Sequence, residues 1–400
     1  MLETPARIEP CLFEDRIPAD LADLAVEIQR EAGDIGRGLH PESAGELADL
    51  VRIMNCYYSN LIEGHNTRPR EIERALAGAE LEEATRPLAL EARAHVIVQR
   101  RIDARHRAGT LPRPTSTEFL SSVHREFYEE MPPEFRFVVQ AEGQAEEIIP
   151  GRFRSIGDGE VSVGRHQPPS SSRVTAFMDY FDKRFAAAEA SPSARIIAIA
   201  SAHHRLNYIH PFPDGNGRVS RLMSHAMAHH AGIGAGGLWS VSRGLARGLQ
   251  DGLPGREEYR EMMQLADRVR QGDRDGRGNL SLAALVSFTK WFLAVCEDQV
   301  SFMAGMFDFD RLGERLTRYA AISGLGERAG DLLRIVLLRG EVDRGDVAAL
   351  LGVAPRTARA TMKTLLDDGV VGSETPRGAL MLRFPSKTHD VLFPRLFDAV

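Results

Sequence analysis

Residues 193–209 and 218–231 both carry apolar positions at helical spacing, and the eight residues between them, HPFPDGNG, break that pattern. A chain with this feature must place two helices around a short polar turn. Asp214-Gly215-Asn216-Gly217 sets two glycines around an asparagine at the entry to the second helix. Glycine admits backbone conformations in which N–H groups turn inward and form an anion nest. The helix start adds the positive end of its dipole. Such a turn suits a phosphate group.

The side chains around the turn point to the same ligand. Arg218 and Arg221, three apart, share a face of the second helix. Guanidinium forks take phosphate oxygens in bidentate fashion. Asp214 can hold Mg²⁺, which usually takes one or two carboxylates plus phosphate oxygens. His210, at the other end of the turn, has the ordinary pKa of a general base. Phe212 is expected to point away and anchor the turn in the core. The bland alternative is a glycine turn capped by Asp214 and flanked by surface arginines. A base, a metal carboxylate, a nest and two arginines within twelve residues favour the first reading.

HPFPDGNGRVSR fills every specified position of HxFx(D/E)GNGRxxR and so resembles the Fic family. The run leading into it, AIASAHHRLNYIHPF, is similar to that family's helix before the loop. The resemblance covers roughly residues 50–300. It implies a mainly α fold with a Fic-type helical core and a β-hairpin flap over the active site. It implies transfer of AMP from ATP, with Mg²⁺ or Mn²⁺, to a Ser, Thr or Tyr hydroxyl on a target protein or on the chain itself. In that scheme His210 deprotonates the hydroxyl and Asp214 holds the metal on the α and β phosphates. Asn216 and the neighbouring backbone, Gly215 and Gly217 included, hold the phosphates. Arg218 reaches the α/β phosphates and Arg221 the γ phosphate. A Doc-like branch transfers phosphate instead, but with an altered loop, and the intact GNGR speaks against it. UTP or GTP as donor stays open. Tyr259, in REEYREMMQLADRVRQGD, resembles a family tyrosine near the adenine pocket.

Residues 148–171, IIPGRFRSIGDGEVSVGRHQPPSS, contain a GDGE turn and the alternating EVSVG. They read as a β-hairpin ended by Pro168-Pro169. Val161, Ser162, Val163 and Gly164 are then placed to add a strand to an extended target segment. Ser59-Asn60-Leu61-Ile62-Glu63-Gly64 fits the family's inhibitory pattern (S/T)xxxE(G/N), in a helix expected over about residues 47–64 and stopped by Gly64. The resemblance implies that Glu63 occupies the γ-phosphate position and pairs with Arg221, with Ser59 helping to fix the helix. The α phosphate is then out of line, and misplacement by about an ångström costs on the order of a hundredfold in rate. Some relatives with this glutamate also remove AMP from a modified protein. The sequence leaves the dominant direction open.

The 400 residues suit two or three domains. Residues 1–110 read as an irregular arm followed by helices, among them TRPREIERAL with Thr67 as cap and Pro69 in its first turn. Residues 111–310 are expected to form the catalytic core, with helices near 115–130, 172–188, 257–271 and 281–305. Residues 325–400 read as a winged helix-turn-helix unit: three helices, then two strands around a Thr-Pro-Arg-Gly tip. Arg356, Arg359 and Lys363 share a face of its recognition helix, and Arg377 sits at the tip, a local surface for DNA phosphates. Asp367, Asp368 and Glu374 lie close by, so DNA contact, docking of a target protein, and a structural or dimerising role all stay open. A DNA-binding regulator with a nucleotide-sensing Fic-like part is the competing class.

A net charge of -6 and a pI near 6.1 exclude a general nucleic-acid coat protein. No run approaches 18 uninterrupted apolar residues, so no membrane span is expected. MLETPARIEP does not read as a secretory signal. Cys11, Cys56 and Cys296 are far apart and lack CxxC spacing, which speaks against a disulfide framework or zinc site. A reducing cytoplasm is the expected compartment. GDRDGRGNLS at 272–281 fails the calcium-loop pattern at Arg277 and Ala284. His203-His204 and His229-His230 are neighbours pointing in different directions, expected as core or surface histidines.

Overall fold

The computed structural model describes residues 3–11, 17–80, 82–83, 85–139, 145–188, 191–250 and 254–397. The N-terminal helices are α1 (Ala19–Ala32), α2 (Pro41–Ile62), α3 (Pro69–Leu76), α4 (Arg86–Arg107) and α5 (Thr117–Glu129). Proline opens α2 and α3, where its missing N–H costs nothing. α2 stops at Glu63, and Gly64 follows at φ 90°. The cap of α3 is Arg68, not Thr67. Glu71 accepts from the Arg68 backbone N–H at 2.7 Å, while buried Thr67 accepts from Asn60 at 3.2 Å. The expected cap was drawn inward by a partner on α2.

Two strands follow, β1 (Phe137–Val139) and β2 (Ala145–Glu147), paired antiparallel. Then come α6 (Val174–Ala187), α7 (Pro192–Ile209), α8 (Asn216–His230), α9 (Val241–Arg247), α10 (Gly255–Ala266) and α11 (Leu282–Met306). α7 is buried on nearly every side, from Ile196 to Leu206. It forms the central rod, with α8, α11, α6 and α1 against it. The expected helix near 257–271 ends at Ala266, and Val269 instead bridges Leu280. Residues 3–11 are not a loose arm: Ile8 is buried, and Arg7 donates to Tyr208 Oη at 3.1 Å. Cys11, Cys56 and Cys296 are buried and free.

The hairpin expected at 148–171 is not formed as read. The ladder lies earlier, between β1 and β2, and segment 160–164 has only a bridge between Val163 and His166. The intended partner strand is committed elsewhere. The Arg154 N–H donates to Pro211 O at 2.7 Å, and the Ser155 N–H to Asp158 at 2.6 Å.

The chain continues through α12 (Phe309–Ile322), α13 (Ala329–Arg339), β3 (Glu341–Val342), α14 (Val347–Leu351), α15 (Pro355–Asp368), β4 (Val371–Gly372), β5 (Leu380–Leu382) and α16 (His389–Leu392). The three strands form one antiparallel sheet, order β3-β5-β4. This region lies against α2. Ser43 donates to Leu337 O at 3.0 Å, Arg383 pairs with Glu46 at 2.6 Å, and Tyr58 donates to Leu396 O at 3.1 Å. Among the described residues, no helix is long and apolar enough to cross a membrane.

Candidate active site

α7 ends at His210, which adopts a left-handed backbone (φ 50°, ψ 60°) and so turns the chain sharply toward α8. Arg154 holds this turn. Its guanidinium, 1% exposed, donates to the carbonyls of His210 (2.9 Å), Ile209 (3.3 Å) and Pro169 (3.1 Å), and to Ser171 Oγ (2.8 Å). Burial, then the positive charges of Arg154 and His166, push the His210 imidazole down to about 4. At neutral pH it is therefore an unprotonated base.

The loop closes on itself. Asn216 accepts from the Phe212 N–H at 2.9 Å and donates back to Phe212 O at 2.8 Å. Both ends of its side-chain amide serve the fold. Phe212 is fully buried and stacks on His124 at 3.9 Å, as expected of an anchor. Gly215 caps α8 at φ 80°, with Tyr128 so close that a Cβ would crowd its ring at 3.1 Å. Tyr128 Oη donates to Asp214 Oδ2 at 2.7 Å. Burial opposes the Asp214 charge, but Arg218 and this hydrogen bond outweigh it and lower its pKa. The Asp214 side chain is 47% exposed. An ionised, accessible carboxylate beside a backbone nest fits one ligand of Mg²⁺, the others being phosphate and water oxygens.

The two arginines diverge in partners. Arg218 donates to Glu91 at 2.8 Å and lies over the Phe127 ring at 5.2 Å, and its Nε and Nη1 make no hydrogen bond among the described residues. Arg221 turns to α2. It donates through Nη2 to Glu63 Oε1 at 2.5 Å and through Nε to Ser59 Oγ at 2.8 Å. Burial works against the Glu63 charge, but Arg221 and then Arg218 hold its pKa below the ordinary value. The carboxylate sits so close to Gly217 that a Cβ there would overlap it. The glycine is thus what admits Glu63.

Glu63, His210, Gly217, Arg221, Tyr259 and Val163 line one cavity of about 260 Å³. Tyr259 enters from α10, its hydroxyl 2.7 Å from His203 Nε2 and its ring stacked toward Trp291. Gly164 and His166 line the same cavity, and Val161 and Ser162 are not among its lining residues. The sequence reading missed Glu91, Tyr128, Arg154, His166 and Asp267. All sit on other elements, without local pattern. His229 is buried in a cluster with His225 and Asp103, whose atoms lie 2.5–3.2 Å apart. Arg52 donates to the other Asp103 oxygen at 2.7 Å. Arg356, Arg359 and Lys363 are exposed on α15, far along the chain from the cavity.

Residues 114–228 match the model of the Fic/DOC family. A 90-residue stretch is 36% identical to the Protein adenylyltransferase Fic of Aedes aegypti, covering 22% of this chain and 17% of that protein. The Drosophila melanogaster protein of the same name matches at 36%, with 22% and 18% covered. The chain thus matches less than a fifth of the length of these relatives. The solved structure of a Fic family protein from Desulfovibrio desulfuricans G20 is similar in fold, with TM-score 0.50 and 18% identity over 92% of this chain and 97% of that one. Residues 114–228, which carry the loop, thus match the Fic/DOC family, and the helical fold is similar to that of a solved Fic family structure.

Proposed function

We propose that the protein is an autoinhibited protein adenylyltransferase that moves AMP from ATP to a Ser, Thr or Tyr hydroxyl on a target protein or on itself. The relatives named as adenylyltransferases support the reaction class. The observation that carries the reading is the Glu63–Arg221–Ser59 tie beside neutral His210 in one cavity. His210 takes the proton of the acceptor hydroxyl, whose oxygen then attacks the α phosphorus as pyrophosphate leaves. The 215–217 backbone, Arg218 and, once freed, Arg221 bind phosphate oxygens. Asp214 would hold a divalent ion, which supplies charge neutralisation on the phosphates. Tyr259 borders the space for the base. With Arg221 paired to Glu63, the γ phosphate loses its partner, and the α phosphate is out of line.

The test is transfer of label from α-labelled ATP with Mg²⁺ in a cell lysate, read by mass spectrometry. The Glu63→Gly chain should label itself or a target, the wild type far less. No transfer from Glu63→Gly overturns the reading. A second reading is removal of AMP, since Glu63 faces the same cavity as His210 and can orient a water. Loss of hydrolysis of a modified target on Glu63→Gly supports it. A DNA-binding role for the C-terminal unit rests on Arg356, Arg359 and Lys363, which are exposed and make no ion pair among the described residues. Absence of DNA binding at low salt removes it.

A further inference from the structure

We infer that His166, as an imidazolium held by Asp267 and the Tyr208 carbonyl, is a positioning residue that latches the flap segment over the cavity. The inference deepens the adenylyltransferase reading and rests on it for its catalytic consequence. His166 closes the tight turn of that segment. Val163 N donates to His166 O at 3.1 Å, and His166 N to Val163 O at 3.0 Å. Its ring reaches two other elements. Nδ1 lies 3.0 Å from Asp267 Oδ2, at the C-terminal end of α10. Nε2 lies 2.9 Å from Tyr208 O, two residues before His210.

The charge follows from the partners. A backbone carbonyl only accepts, so Nε2 carries a proton. Asp267 also only accepts when ionised. Burial opposes its charge, but the contacts from His166 and His204 hold its pKa well below the ordinary value. Nδ1 therefore carries a proton too. His204 shares the carboxylate in a different state. Its Nε2 faces Asp267 at 3.1 Å and Met263 O at 3.0 Å, while its Nδ1 accepts from Arg205 at 3.1 Å. His204 needs one proton, and its pKa is lowered, by burial first. His166 needs two. The groups facing it are Asp267 from α10 and His204 and Tyr208 from α7, and its charge also reaches His210.

The latch fixes where the segment's free edge lies. Val161 and Ser162 make no backbone hydrogen bond among the described residues. Tying the next turn to the backbone just before the base sets their distance from His210. Burial works against the His166 charge, but Asp267 outweighs it and raises the pKa above the ordinary 6.5. A raised folded-state value means the latch is complete below pH 6.5 and is lost as pH rises through the raised value. Beyond that point one ring nitrogen presents a lone pair to an acceptor.

The test uses the full chain and hydrogen exchange of the Val163 and His166 amides across pH 6–9, corrected for intrinsic rates. His166→Phe and Asp267→Asn should lower their protection about tenfold while core helices keep theirs. Wild-type protection should fall as pH rises. His166→Gln keeps two N–H donors without a titrating charge and should give pH-independent, partly restored protection. Unchanged protection in His166→Phe, or pH-independent wild-type protection, overturns the latch. In the Glu63→Gly background, self-labelling should fall about tenfold with His166→Phe and recover in part with His166→Gln. Labelling absent from the Glu63→Gly parent defeats the adenylyltransferase reading, while the exchange arm still decides the latch.

Discussion

The loop at 210–221 and the segment at 150–166 border the same cavity, yet they are held in opposite ways. The loop is closed by its own residues: Asn216 ties to Phe212 through both ends of its amide, and Gly215 starts α8. The 150–166 segment has two small local ties, the Val163–His166 bridge and Asp158 bound to Ser155 and Arg152. It is held by side chains reaching far along the chain: Arg154 to residues 209–211, Gly151 N–H to His124, and His166 to Tyr208 and Asp267. The groups proposed to react are set mainly within the loop, and the segment proposed to present an acceptor is set at long range. Because Arg154 also holds the His210 turn, misplacing the second should disturb that turn while leaving the Phe212–Asn216 closure intact.

The largest effect should come from the loop. His210→Ala in the Glu63→Gly chain should lower labelling by about 10²–10⁴-fold. The melting curve should not move, and if it does, the residue's role is not confined to chemistry. Next comes the Glu63–Arg221 tie, proposed as a brake, which joins the loop to α2. Glu63→Gly should raise labelling on the order of a hundredfold over wild type. Ser59→Ala should raise it less, because Arg221 keeps its carboxylate partner.

The 150–166 segment should respond more mildly in rate and more visibly in stability. Arg154→Met strips the Ile209, His210 and Pro169 carbonyls of a donor and should destabilise the chain by about 1–3 kcal/mol, seen as a lower melting temperature. Labelling in the Glu63→Gly background should fall by less than with His210→Ala. Equal losses would erase the contrast between the two regions.

The smallest effect is on acidification. Burial pushes His124 down to about 4 and His95 and His203 to about 3. A lowered folded value means the unfolded chain takes up protons first, so stability is lost progressively as pH drops below 6.5. His124 stands at the seam, stacked on Phe212 and accepting from the Gly151 N–H at 2.8 Å. Melting temperatures from pH 7 to 4 should fall, and less so in His124→Asn.

Much of the site was legible because its parts lie close in the chain. Twelve residues displayed the candidate base, the candidate metal carboxylate, the glycine turn and both arginines, and Phe212 lies buried as read. The pairing of Glu63 with Arg221 followed from the family resemblance, and these side chains do meet; that Ser59 also accepts from Arg221 came only from the structure. The hairpin did not form where alternation placed it. Alternation registers which side chains suit a strand, not whether a partner strand is free, and Arg154 and Ser155 are bonded elsewhere.

The sequence by itself determined the turn between α7 and α8, the groups that turn carries, and most of the helical elements, though not α9 or α12. Propensity, periodicity and glycine placement act within a few residues. Only the tertiary structure decided that Asn216 serves the loop, that Glu91 and Tyr128 hold Arg218 and Asp214, and that His166 is gripped between α7 and α10. It also seated Tyr58 and Ser43 of α2 against Leu396 and Leu337. A hydrophobic pattern states that a face will be buried. What meets that face depends on elements hundreds of residues away, and a donor or acceptor acquires its role only when they arrive.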